Sequence, residues 1–245
     1  MKGTSLARTI KTSPNFGPRT GGKPVSMIIL HYTGMSDAQK ACDWLCNEAS
    51  EVSCHYLIDE QGNLVQMVGE DMRAWHAGIS SWKGEEDINS VSIGIEIQNP
   101  GHTLGYTKFP AIQMQMVARL CHDIATRHHI TARNILAHSD VAPGRKIDPG
   151  EKFDWKYLHG HGVGHWVEGE PISGGSFLQM GDRGDAVLAL QGMLNLYGYG
   201  IEADGSFGPR TKAVVEAFQR HFRQARVDGV ADQSTVTTLH RLLKQ

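Results

Sequence analysis

The run Ala137-His138-Ser139-Asp140-Val141-Ala142-Pro143-Gly144-Arg145-Lys146-Ile147-Asp148-Pro149-Gly150 sets a histidine, a lysine and an aspartate in one turn-rich segment after a short apolar stretch. Pro143-Gly144 and Pro149-Gly150 are strong turn formers, so the chain can fold back and bring His138 and Asp148 together although they are distant in sequence. His31 is a second imidazole in an equivalent place. It follows Met27-Ile28-Ile29-Leu30 as His138 follows Ile135-Leu136-Ala137, and each apolar run is short enough to be a buried strand. Both imidazoles would then stand at strand carboxyl ends, where open α/β sheets place their ligands. Two histidines and one carboxylate give zinc three protein ligands and leave the fourth tetrahedral position to water or substrate, which is the catalytic pattern. The chain has 13 histidines, most of which must be surface or core residues, so spacing alone leaves a metal site and ordinary histidines evenly matched.

A third segment bears on the choice. Val91-Ser92-Ile93-Gly94-Ile95-Glu96-Ile97 alternates with period two, putting Val91, Ile93, Ile95 and Ile97 on one face and Ser92, Gly94 and Glu96 on the other. Glu96 shares its face only with small residues. A carboxylate within a β-branched strand, with room beside it at Gly94, suits a general base over a small cleft; a glutamate at a solvated strand edge would give the same pattern.

Four motifs in order then resemble a known family: "ILHYT" around His31, "RAWHAG" from Arg73 to Gly78, "SIGIEIQNPG" around Glu96 and "HSDVAPGRKIDPG" from His138 to Gly150. They are similar to the zinc-dependent N-acetylmuramoyl-L-alanine amidases of the AmpD and AmiD type, which share the peptidoglycan-recognition-protein fold, over about Val25 to Trp166. The resemblance implies His31, His138 and Asp148 as ligands of one Zn2+, Glu96 as the catalytic acid/base and Lys146 as a helper for the oxyanion. Hydrolysis of a lactyl amide needs a nucleophile at neutral pH, a stabiliser for the oxyanion and a proton for the departing amine. Zinc would supply the first two and Glu96 the third. Lys146, two positions before Asp148, can face the same way in an extended segment and put positive charge where negative charge develops. Trp75 and His76 are candidates to line the sugar-peptide groove, or to pack a loop. Arg73 and Arg145 could pair with substrate carboxylates, against a default of surface exposure.

A chain of 245 residues with 40% hydrophobic composition points to two domains. The segment 159–176 is rich in glycine and serine without a hydrophobic period, and reads as a flexible linker more readily than as a metal tract of His159, His161 and His165. Beyond it, Val187, Leu190 and Leu194, then Val214 or Val215, Phe218 and Phe222, then Val236, Leu239 and Leu243 recur at helical spacing and predict three short helices. Asp204-Gly205 before Thr211 is echoed by Asp228-Gly229 before Thr235. "MGDRGDAVLALQ", "GYGIEADGSFGPRTKAVVEAFQR" and "DGVADQST" closely resemble the three-helix peptidoglycan-binding module of wall hydrolases. The expected architecture is a mixed-sheet α/β amidase domain at 25–158 after an N-terminal extension at 1–24, then a small all-α domain at 177–245. Such a tethered module would raise effective concentration at the wall, and its deletion would spare hydrolysis of small muropeptides.

Within the first domain we expect strands at Val25–Leu30, His55–Ile58, Leu64–Val68, Val91–Ile97 and Asn134–Ala137. Helices are expected near Ala38–Glu48 and at Ala111–Arg127, the latter with Ile112, Met116, Leu120 and Ile124 as its core stripe. Cys42 and Cys46, one helical turn apart, could join Cys54-His55 in a second zinc site, but Cys54 and His55 are consecutive and would point to opposite faces of a strand, so Cys42, Cys46, Cys54 and Cys121 read better as small buried thiols. No apolar run befits a signal peptide or a membrane span, so the literal expectation is a cytoplasmic protein; a wall-binding module instead fits the periplasm or cell envelope. A net charge of −2 with interspersed signs offers no patch for nucleic acid. The expected partner is peptidoglycan or muropeptides, met by a monomer. The competing readings are a peptidoglycan-recognition protein that binds without cutting and a zinc peptidase acting on stem peptides.

Overall fold

Met27–Tyr32 has five consecutive buried residues, a pattern that requires cover on both faces of a sheet. In the computed structural model, which describes residues 1–245, this strand lies inside a six-stranded mixed sheet. The spatial order is Thr9–Ile10, Leu64–Gln66, Tyr56–Ile58, Ser92–Ile97, Met27–Tyr32 and Ile135–Ala137. The last four run parallel; Leu64–Gln66 pairs antiparallel with Tyr56–Ile58. The N-terminal extension is part of this fold, since Thr9–Ile10 adds the edge strand beside Leu64–Gln66.

One face of the sheet, with Ile28, Leu30, Ile93, Ile95 and Ile97, packs under the helix Ala111–His128. Val91 belongs elsewhere: it ends the one-turn helix Ile88–Val91 and joins the core on the other side. The helix stripe also differs from the expectation. Met114, Val117, Ala118, Leu120, Cys121 and Ile124 are buried, whereas Ile112 is 52% exposed and Met116 only partly covered. A strict four-residue step overshoots a 3.6-residue turn by about 40°, so a stripe drawn that way walks off the buried face.

The helices Asp185–Tyr197, Pro209–Phe222 and Gln233–Leu243 form the C-terminal unit. Its sequence echo is a structural one. Gln191 donates to Asp204 (2.9 Å) and Thr211 (2.9 Å) while accepting from Gly205 N–H (2.8 Å). Gln219 repeats this with Asp228 (3.3 Å), Thr235 (3.2 Å) and Gly229 (2.9 Å).

The connection at 159–176 is not a free tether. Val163 and Val167 are buried, His165 Nδ1 meets the Tyr197 hydroxyl at 2.8 Å, and Ser234 donates to the Glu170 carbonyl. One apolar core joins Met27, Ile29, Leu136 and Val141 of the first half to Val187, Val214 and Phe218 of the second. Trp82 is fully buried, with its ring edge-to-face to Tyr197 and Tyr199 at 6.0 and 5.0 Å, and Trp155 stacks on His221 at 3.7 Å. The glycine- and serine-rich composition hid this because the few apolar residues that dock the segment have no period. All four cysteines are free thiols; Cys42, Cys54 and Cys121 are buried as expected, whereas Cys46 is only partly covered. No helix is long and apolar enough to cross a membrane.

Candidate active site

Parallel pairing of Met27–Tyr32 with Ser92–Ile97 sets His31 directly beside Glu96. On the other side of Met27–Tyr32, the strand Ile135–Ala137 passes into the one-turn helix His138–Val141, which starts at His138. Asp148 returns to it through the loop, with Ser139 N–H donating to the Asp148 carbonyl at 3.0 Å. His31 Nδ1, His138 Nδ1 and Asp148 Oδ2 thus converge, at 2.9 Å between the imidazoles and 3.1 and 3.0 Å from each to the carboxylate. This is the one cluster of histidine, cysteine or acidic donors in the chain able to hold a metal ion. His159, His161 and His165 instead bond separately to Gly164, Tyr157 and Tyr197.

The outer nitrogens explain why those three atoms suit a cation. His138 Nε2–H donates to the Ala77 carbonyl at 3.0 Å, which leaves Nδ1 as a lone pair. His31 Nε2 faces His76 Nδ1 at 3.1 Å, and His76 Nε2 faces Ser92 Oγ at 3.1 Å, whose hydroxyl donates onward to the Ile88 carbonyl at 2.6 Å. Read in the one direction that satisfies every member, the chain makes His31 Nε2 a donor and its Nδ1 a second lone pair. Two lone pairs and a carboxylate oxygen at such distances repel one another unless a cation sits among them. The donor chemistry of two imidazoles and one carboxylate is that of a zinc site with an open position.

Electrostatics agree. Burial, then the neighbouring His138, depresses His31 to about 4, so it is neutral at physiological pH. Burial opposes the Asp148 charge, yet positive charge at the facing His138 and His31 Nδ1 positions holds the carboxyl below the usual carboxylate range; with both nitrogens as lone pairs, that positive charge is the part a cation would play. Burial pushes Glu96 well above its ordinary value, with the Asp148 charge adding and the Lys146 charge opposing. Glu96 Oε2 is buried and makes no hydrogen bond.

A cavity of about 380 Å³ brings His31, Glu96, His138, Lys146 and Asp148 together with Trp75, His76 and Arg145. Trp75 is partly exposed at its wall. His76 has both ring nitrogens engaged within the protein. Arg145 spends its fork on the carbonyls of Ala77 and Ile79 (2.9 Å to the latter), so it secures the carbonyl that orients His138. Arg73, considered as a partner for substrate carboxylates, is held by Asp87 at 2.9 Å. Sequence reading passed over Met35, Trp44 and Val52, which also line the cavity. The exposed Trp44 on the otherwise amphipathic helix Ala38–Leu45 was the available signal. It also gave no role to Ser92 and Asp140, although both lie within the quoted motifs.

Comparisons with known proteins agree with this geometry. Residues 21–151 match the N-acetylmuramoyl-L-alanine amidase family and residues 183–239 a peptidoglycan binding domain family. The chain is 33% identical over 237 residues to the N-acetylmuramoyl-L-alanine amidase AmiD of Escherichia coli, covering 90% of this chain and 83% of that protein. It is 44% identical over 160 residues to the 1,6-anhydro-N-acetylmuramyl-L-alanine amidase AmpD of Escherichia coli, covering 58% of this chain and 85% of that one. Among solved structures, E. coli AmiD in complex with the substrate anhydro-N-acetylmuramic acid-L-Ala-D-gamma-Glu-L-Lys superposes with a TM-score of 0.77 at 32% identity, over 96% of this chain and 92% of that chain. AmpDh3 from Pseudomonas aeruginosa with anhydromuramic pentapeptide gives 0.73 at 28% identity, over 95% and 96%. With more than half its length matched and its donor triad in one cavity, the chain belongs to the N-acetylmuramoyl-L-alanine amidase family.

Proposed function

We propose that the chain hydrolyses the amide between N-acetylmuramic acid and L-alanine in peptidoglycan or its anhydro-muropeptide fragments, with one zinc ion held by His31, His138 and Asp148. The observation that carries this reading is the convergence of those three donor atoms beside an unpartnered Glu96 oxygen. When bound, zinc supplies Lewis acidity to the scissile carbonyl and to the attacking water. Glu96 takes the proton of that water as it adds to the carbonyl carbon. It then delivers the proton to the L-alanine nitrogen as the C–N bond breaks, and the remaining acid proton passes to the amine, leaving a lactyl carboxylate and an ammonium group. Burial raises the proton affinity of Glu96, which suits its carboxyl to hold the proton between the two transfers. Lys146 sets positive charge where the carbonyl oxygen becomes negative.

Trp75 offers an aromatic face to the muramyl ring, and Arg145 and His76 complete the wall on that side. Residues 25–158 carry the chemistry and 177–245 form the peptidoglycan-binding unit, joined through 159–176. A receptor that only binds has no use for a donor triad with a general base beside it, which favours the enzyme over the recognition protein. Mass spectrometry of products from sacculi and from soluble anhydro-muropeptides tests the reading. Release of intact stem peptide beginning at L-alanine, abolished by a chelator and restored by zinc, is expected. Cleavage only within the stem peptide would instead make the chain a peptidase.

A further inference from the structure

Asp140 is a fully buried carboxylate two residues beyond His138, in the same helical turn. A buried charge is stable only when fully hydrogen-bonded, so the origin of its donors matters. One is local: Ala137 N–H, the residue just before His138, donates to Oδ2 at 2.8 Å. The other two come from the C-terminal unit. The Tyr199 hydroxyl donates to Oδ1 at 2.8 Å and His221 Nδ1 to Oδ2 at 2.6 Å. His221 Nε2 is buried without a partner, so the bond to Asp140 is the hydrogen bond that this ring makes, and Trp155 and Phe222 clamp it on both faces at 3.7 and 3.8 Å. Around this point Ser81 N–H reaches the Val141 carbonyl at 2.8 Å, and Arg210 of the C-terminal unit reaches the Pro143 carbonyl at 3.2 Å.

We propose that Asp140, Tyr199 and His221 are positioning residues through which the C-terminal unit holds the His138 turn, so that docking of this unit sets activity even on soluble muropeptides. The proposal rests on His138 being a metal ligand. Remove the two distant donors and a buried carboxylate loses most of its partners. It then rotates or draws in water, and the turn that aims His138 Nδ1 relaxes with it. A unit that binds the wall polymer is thereby also a structural part of the hydrolytic centre.

The test uses the full-length chain with Tyr199→Phe, Asp140→Asn and, as a control on the helix Gln233–Leu243, which supplies no donor to Asp140, Leu239→Ala. Zinc affinity is measured by chelator competition, and kcat and KM on a soluble anhydro-muropeptide. Zinc affinity is expected to fall about threefold in Tyr199→Phe and about tenfold in Asp140→Asn, with kcat lowered and KM nearly unchanged. Leu239→Ala lowers the melting temperature and leaves zinc affinity alone. Tyr199→Phe removes a single oxygen and keeps the ring, so it remains informative if Asp140→Asn does not fold. Wild-type zinc affinity and kcat in Tyr199→Phe, with a melting temperature lowered as in Leu239→Ala, would overturn the proposal while leaving the metal site intact. A wild-type chain that takes up no zinc overturns the metal assignment and the proposal together.

Discussion

Gly94→Ala is a one-methyl substitution with two separable consequences. A Cβ at position 94 would lie 2.4 Å from His76 Cγ, 2.6 Å from Cδ2 and 2.7 Å from Nδ1. These are ring atoms held at both nitrogens, by His31 and Ser92, so the neighbour cannot swing away as a free side-chain end would. Overpacking of this kind costs about 1–3 kcal/mol. For a chain of this length, that lowers the melting temperature by roughly 2–12 °C. Displacing His76 also takes the acceptor from His31 Nε2–H, and loss of such an outer partner weakens metal binding by about 10- to 100-fold, or roughly 1.4–2.7 kcal/mol. Differential scanning fluorimetry and chelator competition read the two effects independently. Adding His76→Ala to Gly94→Ala removes the clash without restoring the acceptor, so zinc affinity should stay low, whereas it would recover if the clash alone had weakened it. If folded Gly94→Ala binds zinc within about twofold of wild type, His76 does not orient His31 and the tautomer argument fails.

Glu96→Gln should retain zinc and lose about 10²- to 10⁴-fold in kcat, the usual contribution of a positioned acid/base; retained turnover in steady-state kinetics would remove Glu96 from the mechanism. His55 supplies a pH test. It is fully buried with Nδ1 accepting Gly94 N–H at 3.0 Å, and burial followed by the Arg19 charge depresses it to about 3. An unfolded histidine titrates near 6.5, so as pH falls from about 6.5 toward 3 the unfolded chain takes a proton that the folded one refuses. Stability contributed by the neutral ring is therefore complete above that window and is lost through it, by up to about 1.4 kcal/mol per pH unit. Denaturant midpoints between pH 7 and 5, taken in chelator so that zinc release plays no part, should fall; a flat profile contradicts the assignment. Truncation after Ser176, which a tethered module would tolerate, is expected to abolish hydrolysis of soluble muropeptides and zinc uptake, because it uncovers Trp82 and Trp155 and strips Asp140 of two donors. Full activity of that fragment on small substrates would restore the tether.

Local pattern made much of this molecule legible. Period-two alternation located Ser92–Ile97 and the face carrying Glu96, because a strand side chain's face depends only on parity. Apolar runs ended by histidines located His31 and His138 at neighbouring strand ends, and paired Pro-Gly turns allowed Asp148 to return to them. The C-terminal helices were equally visible from their spacing. Tertiary structure alone decided what lies behind those residues. Ring nitrogens have no sequence signature for their partners, so His76, offered by the sequence as a groove residue or a loop-packing one, lines the cavity and also abuts His31, because Gly94 leaves the space. Nor does local pattern tell whether a glycine-rich connection swings or docks. That depends on whether the two surfaces it joins are complementary, and here Tyr199 and His221 find Asp140 across 59 and 81 positions of chain.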